Sequence, residues 1–295
     1  MPTLDRREFM GRALAGAGAF ALAGAAPQQR RAADRVPLGK TGLKVSRVGM
    51  GTGVRGGGRE SNQVRAGFDS FSSIVQRCWE KGLNFFDAAD SYGSHGYFRG
   101  AFAKLKIPAD QIVVSTKLDW RSSPTPSAAI ERFRLELDRD VLDLVLLHCL
   151  TDKNWWERGE GGKGREKKAF EALQDAKAKG KVRGVGASCH TLEALRIAAE
   201  TPGFDYHLVR INHVGKDALM DASPDEVVPV IKKMHDDGRG IGGMKIVGEG
   251  KLREQLDASL KFVLGLGTVD TMAIGFEKPD EIDDFVARTD KVLNG

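Results

Sequence analysis

Asn84-Phe85-Phe86-Asp87-Ala88-Ala89-Asp90-Ser91-Tyr92-Gly93 is the stretch that decides the fold. Two aromatic residues lead into an acid, and a tyrosine followed by glycine comes shortly after it. This pattern is typical of a buried strand that runs into a loop and presents polar groups at its carboxyl end. Three later apolar runs lead in the same way to Lys117, His148 and Ser188. We therefore expect these four strand ends to converge.

Outward from this stretch, apolar strands alternate with helices along the whole chain. Eight strand–helix units follow a leading hairpin built around the turn Gly39-Lys40-Thr41-Gly42. Strands that are apolar throughout and alternate with helices indicate a parallel sheet. An open doubly wound sheet is the alternative, but no G-x-G-x-x-G follows the first strand and polar residues end many strands. We predict an α/β fold, a (β/α)8 TIM barrel preceded by an N-terminal β-hairpin, with its chemistry at the carboxyl ends of the strands.

Composition excludes several classes of function. The chain has 295 residues, of which 41% are hydrophobic, and this suits one large domain. The formal net charge of +5 is spread along the sequence without a basic block, so we expect no nucleic-acid partner. Three cysteines form no C-x-x-C pair, so we expect neither a disulfide framework nor a metal site.

The amino terminus carries the marks of an export signal. Residues 1–33 are predicted to be a twin-arginine signal peptide and linker, and residues 34–295 the folded domain. Arg6-Arg7-Glu8-Phe9-Met10 forms the twin-arginine core, and the Ala/Gly-rich run after it is too short and too weakly apolar to span a membrane. The alternative is a disordered leader. Export by the twin-arginine machinery would leave the protein periplasmic or extracytoplasmic, without stable membrane insertion after cleavage. That route carries folded proteins and therefore hints at a bound cofactor.

Four motifs, in order on four strand ends, resemble the aldo-keto reductase family. They are Phe86-Asp87-Ala88-Ala89-Asp90-Ser91-Tyr92-Gly93, Ser115-Thr116-Lys117, Leu146-Leu147-His148 and Gly186-Ala187-Ser188. The resemblance covers nearly all of the chain after the leader. It implies an oxidoreductase that uses NADP(H) or NAD(H) to interconvert an aldehyde, ketone or sugar carbonyl and its alcohol.

The resemblance also implies a role for each catalytic residue. Tyr92 would donate the proton, and a nearby Lys117 ammonium would lower the pKa of its phenol from the usual value near ~10. Asp87 would pair with Lys117 and keep it charged. His148 would donate a hydrogen bond to the carbonyl oxygen and so orient it. Each residue also has a structural alternative, such as an ion pair at the barrel mouth or a buried core histidine.

The cofactor set follows from the same resemblance, with departures. The predicted cofactor-binding residues are Gly51, Thr52, Asp87, Ser188, Arg210, Met244, Lys245, Gly248, Lys278 and Glu281. Ser188 would hold the nicotinamide carboxamide, but Cys189 stands where the family usually has asparagine. Glu281 falls where NADP-selective members carry the arginine that binds the 2′-phosphate. A carboxylate there would repel a phosphate, so the sequence favours NAD, although Lys278 lies nearby.

Two other functions stay open from the sequence. One is a lyase or aldolase-type barrel in which Lys117 forms a Schiff base. The other is a barrel that binds nicotinamide without catalysis, which the departures at Cys189, Phe276 and Glu281 allow. Substrate specificity is expected in the loops 53–67 and 151–164, where Trp155 and Trp156 could line a pocket.

Overall fold

The computed structural model describes residues 29–119, 125–151 and 164–295. The predicted signal sequence up to residue 28 and the pair Trp155 and Trp156 lie outside these residues.

Strands and helices alternate through the described chain as the sequence predicts. The strands are β1 Arg35–Pro37, β2 Lys44–Ser46, β3 Val48–Gly51, β4 Phe85–Asp87, β5 Val113–Leu118, β6 Leu142–Leu150, β7 Val182–Cys189, β8 Tyr206–Arg210, β9 Gly240–Met244 and β10 Thr271–Ile274. The helices are α1 Asn62–Arg65, α2 Phe68–Glu80, α3 His95–Lys104, α4 Pro126–Leu137, α5 Arg165–Ala178, α6 Leu192–Glu200, α7 Pro224–Asp236, α8 Leu256–Gly265 and α9 Pro279–Asn294.

Eight parallel strands close into a barrel in the order β10-β3-β4-β5-β6-β7-β8-β9. The two remaining strands form the predicted antiparallel hairpin, in which Val36 lies opposite Val45. The prediction of a TIM barrel preceded by a hairpin is confirmed. No helix of the described residues is both long and apolar enough to cross a membrane.

Large and small side chains share the barrel interior. Tyr206 is fully buried there, and a Cβ at Gly242 would collide with its ring and hydroxyl. Glycine on one strand therefore makes room for an aromatic side chain from the next. The hairpin covers the amino-terminal end, where Leu38 packs against Gly240 and the Lys40 N–H donates to the Gly238 carbonyl at 2.8 Å. Since that end is covered, the carboxyl ends of the strands remain for the site.

Local sequence explains where helices α4 and α8 begin or end. Helix α4 begins with Pro126 in its first turn and ends at Leu137, because the next residue, Asp138, adopts a left-handed conformation. Helix α8 begins at Leu256. Gly248, Glu249 and Gly250 all have positive φ just before it, so the chain turns there before it can enter a helix.

Contacts of the barrel begin before residue 34. The Arg30 guanidinium donates to the Leu293 carbonyl at 2.8 Å, and Ala32 is fully buried with its N–H 2.6 Å from Asp290 Oδ1. Residues 30–32 are thus packed against the last helix.

Candidate active site

The four predicted catalytic side chains gather at the carboxyl end of the barrel. Asp87 ends β4, Lys117 is the next-to-last residue of β5, His148 lies near the end of β6, and Tyr92 closes a short 3-10 turn after β4. All but Tyr92 are held by strands that are hydrogen-bonded neighbours, because β4, β5 and β6 are adjacent in the barrel. Adjacent parallel strands bring their carboxyl ends to one edge, which explains the convergence.

Lys117 and Asp87 form a buried ion pair. The Lys117 ammonium donates to Asp87 Oδ2 at 2.6 Å and to the Ala88 carbonyl at 2.7 Å. Only 2% of the Lys117 side chain and 6% of the Asp87 side chain are exposed. Burial raises the pKa of Asp87 against the opposing charge of Lys117, and burial lowers the pKa of Lys117 against Asp87. The pair is therefore held by mutual attraction in a site that disfavours either charge alone.

Tyr92 and His148 meet beside this pair. The Tyr92 hydroxyl lies 3.3 Å from His148 Nε2, and the two rings are edge to face with centroids 5.4 Å apart. The other ring nitrogen, Nδ1, lies 3.3 Å from Ser91 Oγ. The Lys117 ammonium lies 5.0 Å from the centre of the Tyr92 ring. The ammonium thus sits over the ring of the phenol, and the hydroxyl points toward the histidine.

Burial raises the pKa of Tyr92, and the charges of Asp87 and Cys149 raise it further, while Arg210 opposes them. This direction is opposite to the lowering of the Tyr92 pKa that the nearby Lys117 ammonium predicts from the sequence. In the structure Lys117 is neutralised at short range by Asp87. Loss of water is the largest cause of the shift in the Tyr92 pKa, and the negative charge of Asp87 adds to it.

Two glycines after β3 make space for the Tyr92 ring. A Cβ at Gly53 would lie 2.6 Å from Tyr92 Cζ, and one at Gly56 would lie 2.5 Å from Cδ1. Real Cβ atoms do not approach so closely, so any larger residue here would push the ring aside. The glycine-rich loop after β3 therefore helps to fix the position of the tyrosine ring.

A charged network that the sequence did not reveal holds the turn bearing Tyr92. The Arg132 guanidinium donates to both oxygens of Asp90, at 2.9 and 2.7 Å, and to Glu136 Oε1 at 2.9 Å. Glu136 Oε2 lies 2.7 Å from His95 Nδ1, and His95 Nε2 lies 2.6 Å from Thr116 Oγ1. The chain of contacts runs from the tyrosine turn to the residue before Lys117. Asp90 stood inside the recognised motif, but its partners on α4 are distant in sequence and carried no signal.

Similarity to known proteins identifies the family of this chain. A family model described as the aldo/keto reductase family matches residues 47–263, most of the chain. The chain belongs to the aldo/keto reductase family. Aldo-keto reductases of Mycobacterium avium and Mycolicibacterium paratuberculosis are each 34% identical over 131 residues. That alignment covers 43% of this chain and 42% of each relative, so the chain spans about two fifths of the length of these curated relatives.

One further relative and two solved structures are also similar to this chain. A probable voltage-gated potassium channel subunit beta of Arabidopsis thaliana is 31% identical over 123 residues, which is 38% of this chain and 36% of the relative. A putative aldo-keto reductase structure from Pseudomonas aeruginosa superposes with a TM-score of 0.71 at 21% identity and covers 90% of this chain and 98% of that one. The holo form of an aldo-keto reductase from Bacillus halodurans gives 0.67 at 17% identity, covering 88% and 95%. These structures show the same fold.

The family generally binds NADP(H) or NAD(H), and the predicted nicotinamide-end residues of this aldo-keto reductase lie on one arc of the mouth. Ser188, Arg210 and Met244 stand at the ends of β7, β8 and β9, which are consecutive in the barrel. Ser188 Oγ accepts a hydrogen bond from the Cys149 N–H at 2.9 Å. Arg210 Nε is buried and has no partner among the described residues. A donor left without a partner at this position fits a polar ligand.

The remaining cofactor residues continue the same arc. Lys245 and Gly248 follow β9, with positive φ at both and an ion pair from Lys245 to Glu249. Lys278 is exposed just before α9. The Glu281 carboxylate accepts a hydrogen bond from the Glu277 N–H at 2.8 Å. These side chains are therefore arranged around β9 and β10, next to the nicotinamide-end residues.

Gly51 and Thr52, the last of the predicted cofactor-binding residues, lie beside Asp87. Phe276, which departs from the family pattern, is buried. Gly51 ends β3 and Thr52 follows it, and the Thr52 hydroxyl and N–H both donate to the Asp87 carbonyl, at 2.9 and 3.0 Å. Phe276 is 2% exposed and packs edge to face against Phe285. Phe276 thus belongs to the core.

Proposed function

We propose that this aldo-keto reductase interconverts an aldehyde, ketone or sugar carbonyl with its alcohol, with Tyr92 as the proton donor. The observation that carries the proposal is the 3.3 Å approach of the Tyr92 hydroxyl to His148 Nε2, beside the buried Lys117–Asp87 pair. A phenol hydroxyl and an imidazole nitrogen this close together could both bind a single carbonyl oxygen, and that pairing would also fix which face of the carbon is presented. Bound NADP(H) or NAD(H) would supply the hydride.

Residues of the protein then stabilise the negative charge on the substrate oxygen and supply its proton. His148 donates a hydrogen bond to the substrate oxygen as negative charge develops there. Tyr92 gives its hydroxyl proton to that oxygen, which leaves a phenolate. The Lys117 ammonium, 5.0 Å from the centre of the ring, stabilises this anion in a site from which water is excluded. Asp87 keeps Lys117 charged and in place, so the charge is ready before the reaction begins.

Cofactor preference is part of the proposal. Ser188 and Arg210 would hold the nicotinamide carboxamide, Met244 would pack on the ring, and Lys245 with the Gly248 backbone would face the pyrophosphate. Glu281 would place a carboxylate near the 2′-phosphate of NADP(H), and this repulsion would favour NAD(H). Fluorescence titration of both reduced cofactors tests this preference. At least tenfold tighter binding of NADPH would contradict it.

Tyr92→Phe tests the proton donor. The variant should lose at least ~100-fold in turnover, because general acid catalysis contributes roughly 10²–10⁴. Binding of the reduced cofactor should be unchanged. Tyr97→Phe is a matched control, since the Tyr97 ring packs at an angle against Phe68 and Phe71 on the outer side of the barrel. Near-normal turnover of Tyr92→Phe on a panel of carbonyl substrates would show that another group supplies the proton.

A barrel that binds nicotinamide without catalysis is the second candidate, and its support is the relative described as a probable potassium channel subunit beta. It predicts tight cofactor binding without turnover on any carbonyl. A Schiff base at Lys117 has less support, because its ammonium is 2% exposed and bonded to Asp87 and Ala88. Borohydride trapping of substrate on Lys117 would favour that function instead.

A further inference from the structure

Glu136, the next-to-last residue of α4, lies between the two parts of the chain that carry the proton donor and its ammonium partner. Its Oε2 is 2.7 Å from His95 Nδ1. Its Oε1 accepts hydrogen bonds from the Arg132 guanidinium at 2.9 Å and from the Arg59 guanidinium at 3.0 Å. The proposed mechanism assigns no role to this carboxylate, although each of its oxygens is bound to a different part of the site.

The charge of Glu136 fixes the direction of its contact with His95. Burial acts to raise the pKa of Glu136, but hydrogen bonds from its three neighbours lower it to about 2, so the group is ionised at neutral pH. A carboxylate can only accept, and His95 Nδ1 therefore carries a hydrogen and donates it. The other ring nitrogen, Nε2, is 2.6 Å from Thr116 Oγ1, and Thr116 precedes Lys117 on β5. His95 thus connects the carboxylate to the strand of the ammonium.

Through its other oxygen, Glu136 is connected to the turn that bears Tyr92. The same Arg132 guanidinium donates to both oxygens of Asp90, at 2.9 and 2.7 Å. Asp90 begins the 3-10 turn Asp90–Tyr92, and its side chain is only 9% exposed. The planar fork of an arginine that is bound to two carboxylates permits few other arrangements of them.

Arg59 holds the same turn from the glycine-rich loop after β3. Its guanidinium is 3.3 Å from Asp90 Oδ1, and its backbone N–H donates to the Ser91 carbonyl at 2.8 Å. A Cβ at Gly93 would collide with the Arg59 carbonyl, so glycine allows the two segments to approach. The residues before and after Tyr92 are therefore both held in place.

We propose that Glu136 is a positioning residue that sets the distance between the Tyr92 phenol and the Lys117 ammonium. The turn and the strand cannot move apart without breaking a charged hydrogen bond to this one carboxylate. The inference rests on the proposed function, in which the ammonium lies 5.0 Å from the centre of the phenol ring and stabilises the phenolate. A displacement of about 1 Å in such a site can lower the rate ~100-fold. Glu136 thus acts on the reaction without touching substrate or cofactor.

Fluorine NMR of the full chain labelled with 3-fluorotyrosine tests the position of the phenol without any turnover. The chain has three tyrosines and therefore three signals, of which the one lost in Tyr92→Phe belongs to Tyr92. Glu136→Gln keeps the shape of the side chain but replaces one acceptor oxygen with a donor, which opposes the donors around it. We expect the Tyr92 signal to shift, while the signal of Tyr206 in the barrel interior stays in place.

Turnover on a panel of carbonyl substrates is the second measurement. Glu136→Gln should lower kcat on the order of 10-fold or more, with binding of the reduced cofactor unchanged. Glu131→Gln is the matched control, because Glu131 lies on the same helix and forms ion pairs with Arg134 and Lys181 instead. It should change neither the Tyr92 signal nor kcat.

An unmoved Tyr92 signal in Glu136→Gln would overturn the inference, as would an equal effect of Glu131→Gln or a shifted signal with unchanged kcat. Arg132→Gln breaks only the connection to the turn and should shift the same signal, so it decides the matter where Glu136→Gln folds poorly. Absence of turnover in the wild-type protein would contradict the proposed function instead, because the fluorine signals are recorded without substrate.

Discussion

Lys117→Met isolates the energetic role of the buried ion pair. Methionine keeps an unbranched apolar stem in the barrel and removes the ammonium. Asp87, 6% exposed, then loses the donor at 2.6 Å and the charge that offsets its burial. Breaking a buried pair by removing one partner costs about 3–5 kcal/mol. For a domain of this size each kcal/mol lowers the melting temperature by roughly 2–4 °C, so the expected fall is roughly 6–20 °C.

The double variant Lys117→Met/Asp87→Asn is the matched control. It removes both charges, so it should recover most of the lost stability, and the coupling between the two sites should appear in a double-mutant cycle. The pH dependence gives a second check. In Lys117→Met the folded-state pKa of Asp87 stays raised by burial, so the folded state takes up a proton more readily than the unfolded chain. The defect should therefore shrink as pH falls from 7 toward 5.

The measurement is thermal and urea unfolding followed by circular dichroism at several pH values. A loss below about 1 kcal/mol in Lys117→Met, or a double variant less stable than the single one, would refute the view that the pair is held by mutual neutralisation.

Two further predictions follow from the packing. Gly53→Ala should displace the Tyr92 ring and lower turnover on the order of 10-fold or more, whereas Gly57→Ala, with open space around its Cβ, should not; equal rates of carbonyl reduction in the two variants would contradict the steric argument. Burial, with Arg239, lowers the pKa of His207 to about 3. The unfolded chain therefore binds a proton first as pH falls below ~6.5, and wild type should lose roughly 2 kcal/mol more than His207→Gln between pH 6.5 and 5 in urea titrations. Parallel pH profiles would disprove this.

Most of the fold follows from local sequence. Apolar runs such as Leu144–Leu147, alternating with amphipathic helices, indicate buried parallel strands whichever partners they meet. In a parallel barrel the carboxyl ends of neighbouring strands lie at one edge, so the polar residues at those ends, Asp87, Lys117 and His148, come together there. The sequence could therefore predict both the barrel and the residues that gather at its mouth.

The details of the site depend on closure of the barrel. Arg132 reaches Asp90 across 42 residues of chain, and Cys149 meets His190 across 41. Periodicity reports which face of an element is buried, but not which distant side chain meets it. The direction of the Tyr92 pKa shift is the clearest case. The sequence by itself determined that phenol, ammonium and carboxylate share one rim, and only the tertiary structure decided how deeply the phenol is buried, so that loss of water, with the charge of Asp87, raises its pKa.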